Sequence, residues 1–246
     1  MSIRDEVQPG ERWEFGQDVA DAFDDMLERS IPQYDVMRRT VFELGSRFVQ
    51  HKTAIVDLGC ARGEALAPFV AKFGAQNRYV GVEISEPMAR AAMVRFAPEQ
   101  SSSAWDGGWL VQIRQHDLRD RSLYPPETAS LALAVLTLQF VPIEHRLGLL
   151  GRIRASLAPG GALVVVEKVI GSSPLVDDAL RDLYHDHKRA MGYTEEQIVR
   201  KAAALEGVLV PVTAEMNVEM IRSAGFHPVE CFWRWANFAG WVAVAP

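Results

Sequence analysis

Cysteine is scarce in this 246-residue chain: only Cys60 and Cys231 occur, which excludes a disulfide framework or a thiolate metal cluster. No metal site is expected. No run approaches the ~20 apolar residues of a membrane span. The acidic opening MSIRDEVQPGERWEF also lacks the apolar core of a signal peptide. Lys and Arg number 26 against 32 Asp and Glu, a formal charge of −6, which argues against a nucleic-acid backbone as the main partner. Repeats and low-complexity tracts are missing, and SSSAWDGG at 101–108 reads as one surface loop. These absences leave a soluble chain, expected in the cytoplasm. At 48% hydrophobic and 24% charged, its 246 residues can bury one α/β core with helices appended.

Hydrophobic spacing then gives the elements. Residues 17–30 carry Val19, Phe23, Met26 and Leu27 at helical intervals, Ile31-Pro32 interrupts, and 34–49 resumes the pattern. Apolar runs at 54–59, 79–83, 109–117 and 130–140, and a fifth after the turn in LAPGGALVVVEKV, alternate with helical stretches at 64–74, 86–97 and about 144–157. Ser85 is a natural N-cap for the helix that follows it. Such alternation predicts βαβ units: an α/β, doubly wound, mainly parallel sheet that binds ligands at the carboxyl ends of its strands.

Two nucleotide signatures are also missing. Gly59 is followed by Cys60, Ala61, Arg62 and then Gly63, so the dinucleotide pattern G-x-G-x-x-G is not matched, and no G-x-x-x-x-G-K-[ST] occurs. What remains, Asp57, Gly59 and Gly63 as D-x-G-x-x-x-G, suits a nucleoside cofactor without a pyrophosphate; an ordinary tight turn is the alternative. Glu83 ends the next strand, 26 residues after Asp57, where an acid can accept ribose hydroxyls. Asp117 ends the third strand, placed to accept from an adenine amino group, although Asp is also common turn chemistry there.

The stretches IVDLGCARG, YVGVEIS, HDLRD and LAPGGALVVVEK resemble successive motifs of class I S-adenosylmethionine (SAM)-dependent methyltransferases, a Rossmann-like fold. WEFGQDVADAFDDMLERSIPQYDVM, LTLQFV, LYHDHKRAMGYTEEQI and FHPVECFWRWANFAGWVAV further resemble the carboxy-SAM synthases, so the likeness spans nearly the whole chain. The resemblance implies one domain over 1–246, with an N-terminal helical cap at 1–50 and an inserted helical segment near 171–215 on the substrate side. It implies SAM as cofactor and a homodimer. By position, Tyr34 would reach the cofactor, Gly59 would lie beneath its methionine part, and Glu83 would hold the ribose. Asp117 and Leu118 would hold the adenine, and Ala134 and Val135 would offer a backbone carbonyl to the methionine amino group. For Tyr34, a packed aromatic is the alternative.

Two positions depart from the synthase pattern. Val135 stands where the synthases have Asn, and Ala202 where an Arg clamps the extra carboxylate of carboxy-SAM; Arg200 and Lys201 are neighbours in sequence. A carboxylate buried without a cation is costly, so ordinary SAM and methyl transfer to a small molecule are expected. His185 and His187 are the candidate bases, since imidazole titrates near neutral pH. Either could instead be structural. Tyr184 and Tyr193 are candidates for substrate hydrogen bonds, and Arg189 and Arg200 for a substrate carboxylate. In the tail CFWRWANF, strand alternation puts Trp233, Trp235 and Asn237 on one face, a candidate pocket wall or a packed core, and Phe232, Arg234 and Ala236 on the other. The acceptor expected from these features is an aromatic or α-keto-acid metabolite, with carbon methylation favoured by analogy to the synthases' prephenate. A carboxy-SAM synthase with an altered clamp and a non-catalytic SAM-binding module are the alternatives.

Overall fold

The computed structural model describes residues 4–120 and 128–246. The helical stretch at 17–30 is two helices, α1 (Gln17–Asp21) and α2 (Phe23–Ser30), turning at Ala22. The turn lets Val19 and Ala20 as well as Phe23 and Met26 bury in one cluster with Trp13 and Met88. After Ile31-Pro32, Gln33 adopts a left-handed φ of 53° and α3 (Tyr34–Gly45) begins.

The alternating part follows as β1 (Ala54–Leu58), α4 (Ala67–Phe73), β2 (Arg78–Glu83), α5 (Glu86–Arg95), a short α6 (Ala97–Gln100), β3 (Val111–Gln115), β4 (Ala129–Val135), α7 (Ile143–Ser156) and β5 (Leu157–Ile170). The inserted segment supplies α8 (Pro174–Ala190), α9 (Glu195–Leu205), the two-residue β6 (Val212–Thr213) and α10 (Ala214–Ser223); β7 (Val229–Trp235) and β8 (Phe238–Val244) close the chain. Ser85, Ser173, Thr194 and Thr213 each cap a helix with their hydroxyls, Thr194 in a reciprocal capping box with Gln197.

The sheet runs β3-β2-β1-β4-β5-β8-β7, with β6 extending one end of β5. Pairings are parallel except for β5–β8 and β7–β8. Strand order reverses between β1 and β4, so the crevice for a ligand lies at their carboxyl ends. Helices cover both faces, which explains why every residue of β1 is buried. Ile55 joins Met37 and Phe69 on one face, while Val56 and Leu58 join Leu149, Leu150 and Ile153 on the other.

Two strands are shorter than their apolar runs. The run at 109–117 is strand only over Val111–Gln115. The run at 130–140 leaves the sheet after Val135, turns through Leu136 at a φ of 59°, and ends in a 3-10 turn over Leu138–Phe140. The tail also departs from simple alternation. Its first strand ends at Trp235, and Ala236 and Asn237 form the hairpin turn. A bulge between Cys231 and Trp233 sends Phe232 onto Gly240, where a Cβ would come within 2.7 Å of its ring, so Phe232 packs on the same core as Trp233 and Trp235.

One buried carboxylate explains why the chain turns after β4. Glu167 of β5 accepts the backbone N–H of Thr137 (3.2 Å), Leu138 (2.8 Å) and Gln139 (2.6 Å). Burial pushes its pKa up to about 8, opposed by those N–H donors and by Arg146. A glutamine there would turn an NH2 group toward at least one of the three N–H donors. Glu167→Gln should therefore cost about 1–3 kcal/mol in urea unfolding at pH 5, and less at pH 9, where the wild-type carboxyl has to ionise in its buried site. Unchanged stability would show that the loop does not lean on this side chain.

Candidate functional site

At the carboxyl ends of the strands lies a cavity of about 660 Å3. Its floor is the β1 turn, the end of β2 and the loop after β4; Trp13, Phe15 and Tyr34 reach in from the N-terminal part, and α8 and α9 supply the remaining wall.

Asp57, at the end of β1, is 1% exposed, and its Oδ2 has no hydrogen-bond partner. Burial pushes its pKa up to about 7; Arg38 pulls it down, while Glu64 and Glu83 push it further up. Gly59 has a φ of +67°, and a Cβ there would lie 2.6 Å from the Thr137 side chain, so glycine is required twice over. Gly63, at a φ of +84°, packs against Phe96 and serves the turn; it does not line the cavity. Glu83 faces the cavity while its two oxygens accept from Ala61 N–H (2.9 Å) and Ser85 N–H (2.8 Å), which fixes the carboxylate across the turn. Burial raises its pKa.

Tyr34 lines the cavity half-buried, its hydroxyl pushed up to about 12 by burial. Asp117 and Leu118 line it as well. The Asp117 carboxylate is chelated by its own neighbour, with Arg119 Nε at 2.8 and 3.0 Å, and Arg119 holds its pKa low. The Val135 side of the cavity is apolar, and the Val135 carbonyl accepts the Thr137 hydroxyl at 3.3 Å. An orphaned buried carboxylate oxygen, a glycine cradle and a second fixed acid fit a nucleoside cofactor that carries positive charge.

On the α8 side, Tyr184 and His185 both line the cavity. Burial, then Lys188 and Lys168, lower the His185 pKa and keep the imidazole neutral near pH 7. His187, two residues on, points elsewhere: its ring lies 5.6 Å from Trp235 and its Nε2 is buried without a partner. Tyr193 is buried outside the cavity, donating its hydroxyl to Asp5 under the Arg29 guanidinium, 4.1 Å from its ring. Arg189 is held on the surface by Asp186 (2.7 Å) and Glu195 (2.9 Å). Arg200 is held there by Glu196 and by Gln8. Trp233 is packed in the core with Nε1 3.4 Å from Gln33, and Trp235 rests on His187, so neither forms a cavity wall.

The structure adds cavity residues that the motifs do not single out: Lys168, Lys188, Lys201 and Glu64. The signal for Lys188 is its spacing of four from Tyr184, which puts both on one face of α8. Ala202 also lines the cavity. Among the described residues no helix is long and apolar enough to cross a membrane, and no group of three His, Cys, Asp or Glu could hold a metal ion.

Residues 55–161 match a methyltransferase-domain family. The carboxy-S-adenosyl-L-methionine synthase of Methylococcus capsulatus is 40% identical over 231 residues, 94% of this chain and 92% of that one. The synthase of the same name from Wolinella succinogenes is 36% identical over 98% of each chain. Among solved structures, an O-methyltransferase family protein from Burkholderia thailandensis superposes with a TM-score of 0.64 at 18% identity, covering 92% of this chain and 59% of that one. Human N-acetylserotonin methyltransferase in complex with SAM gives 0.56 at 18% identity, over 93% of this chain and 55% of that one. The chain thus spans a little more than half of those two structures, which bear out the Rossmann-like methyltransferase fold alone. With the synthases the likeness runs the full length, and the chain belongs to the carboxy-S-adenosyl-L-methionine synthase family of SAM-dependent, methyltransferase-fold enzymes.

Proposed function

We propose that this member of the family transfers the methyl group of SAM to a small aromatic or α-keto acid, at carbon. The observation that carries this reading is the wall around Ala202. The carboxylate of carboxy-SAM would need a cation there. Ala202 has none, and of its neighbours on α9 Arg200 is turned to the surface by Glu196 and Lys201 is tied to the buried Asp5, so the cavity's other lysines, Lys168 and Lys188, stand on β5 and α8 instead.

In this reading Asp57 and Glu83 hold the cationic cofactor, with Gly59 beneath it, Asp117 and Leu118 toward its base, and Val135 and Tyr34 beside it. When bound, SAM supplies an electrophilic methyl carbon, and the C–S electron pair returns to sulfur as the new C–C bond forms. Neutral His185 accepts the proton from the acceptor carbon, and the cavity walls orient that carbon toward the methyl. Tyr184 packs the acceptor.

The names of the relatives favour a second reading, carboxy-SAM synthesis from SAM and a carboxylate donor such as prephenate. Mass spectrometry separates the two. With SAM and phenylpyruvate, a product one methyl heavier and S-adenosylhomocysteine are expected. Carboxy-SAM formed from SAM and prephenate, without any methylated acid, would overturn methyl transfer. A non-catalytic module would produce neither.

Cofactor binding should also depend on pH in a set direction. Asp57 ionises only at about 7, with Glu64 and Glu83 opposing its charge and Arg38 favouring it. A cationic ligand favours the ionised form, so below pH 7 binding must expel a proton. SAM affinity should then rise by up to about tenfold per pH unit toward 7 and level off above it. Asp57→Asn should flatten the slope and weaken binding about tenfold, read by calorimetry. A flat wild-type profile would remove Asp57 from the cofactor site.

A further inference from the structure

Along the wall built by β5, α8 and α9 and just behind it, ammonium groups alternate with aromatic rings. Lys168 Nζ lies 4.6 Å from the Tyr184 ring centroid and Lys188 Nζ 5.1 Å from the same ring; Lys188 Nζ is also 5.4 Å from the Tyr193 ring, which Lys201 Nζ approaches to 4.7 Å. Lys201 has its counter-ion, the buried Asp5. Lys168 and Lys188 have none: among the described residues no carboxylate lies within ion-pair distance of either. Lys188 is 6% exposed, and both lysines line the cavity. Buried ammonium groups are costly without a partner, and a tyrosine face compensates only in part.

We propose that Lys168 and Lys188, with Tyr184 beneath them, form a subsite for the carboxylate of a small organic acid. The inference rests on the reading of this cavity as a place where an acceptor binds, and it moves the carboxylate contact from Arg189 and Arg200 to two lysines inside. The surroundings supply the charge logic. Lys168 faces Tyr184, Lys188, Asp177 and Arg181, and Lys188 faces Lys168, Lys201, Asp5 and His185. Burial, with the neighbouring cations, pulls Lys168 down to about 8 and Lys188 to about 7. An incoming carboxylate favours the protonated form of each, so it binds with proton uptake around pH 8 and loses affinity as pH rises further.

The test is calorimetric titration of phenylpyruvate into the full-length protein preloaded with S-adenosylhomocysteine, which cannot donate a methyl. Lys168→Met and Lys188→Met should each weaken phenylpyruvate at least about tenfold while leaving S-adenosylhomocysteine affinity unchanged; Arg189→Ala should change neither. Phenylacetone, the same ketone without the carboxylate, should bind wild type and both lysine variants equally weakly. In buffers of different ionisation heat at pH 8, wild type should take up protons on binding phenylpyruvate, and Lys168→Met and Lys188→Met should each take up fewer. Phenylpyruvate affinity indifferent to both lysines, absent in wild type, or matched by phenylacetone overturns the subsite. Lysine-dependent binding without a methylated product supports the subsite and overturns methyl transfer. Methylation with an unaltered KM in both lysine variants does the reverse.

Discussion

The Glu167 carboxylate, gripping three successive backbone N–H groups after β4, is the constraint on which the site depends. β4 carries an apolar run that could have continued as strand. Instead the chain turns at Leu136, and Thr137 is set down against the β1 turn, where its hydroxyl donates to Leu58 O at 2.7 Å and its methyl fills the space a Cβ at Gly59 would need. Gln139 then ties two further parts to the same loop: its side-chain oxygen accepts Lys168 N–H at 2.7 Å, and its carbonyl accepts Val210 N–H at 2.8 Å. Buried Arg146 adds a bond to Val210 O at 2.6 Å. The switch point of the sheet, the glycine turn and the return from the α8–α9 insertion are thus fixed by one loop.

The opposite side of the cavity is closed by chain segments distant in sequence. Asp5, 1% exposed, receives Lys201 and the Tyr193 hydroxyl from the insertion, while its own N–H donates to Asp25 at 2.7 Å. Arg29 reaches from α2 to Met191 O at 2.8 Å, and Trp13 N–H donates to Ala204 O at 2.8 Å. The roof is therefore the N-terminal segment and the insertion clasped together, and this geometry requires Lys201 to spend its charge on Asp5. That expenditure matters at Ala202: the nearest cation in sequence is already neutralised.

The alternation of strands and helices, the Asp57–Gly59 turn and the acids at 83 and 117 were legible because each obeys a local rule of period or turn chemistry. The limits of legibility were equally physical. Apolarity alone does not say that the run at 130–140 leaves the sheet, because the carboxylate that turns it lies 30 residues on, in β5. Alternation in the tail fails at the Phe232 bulge, which exists to seat a ring on Gly240. Arg189 and Arg200 read as anion binders by residue type, yet helical neighbours three and four residues away pair with them on the surface. Lysines 168 and 188 carry no sequence signal, because a lysine in sequence reads as solvated. Only the packing of β5 against α8 puts both over Tyr184.

The result is a cavity with divided charge. On the β1–β2 side stand Asp57, Glu64 and Glu83, with Arg38 near Asp57 and Arg95 paired to Glu64, and burial holds Asp57 near its ionisation point. The β5–α8 side carries two uncompensated lysines. In the proposed reading a cationic cofactor and an anionic acceptor each neutralise the end they enter, and each restores ionisation in the groups it meets. A cavity of that polarity orients two small molecules without a dedicated clamp between them. In the same reading, the additional carboxylate of carboxy-SAM would have to share the lysines with the acid that donates it.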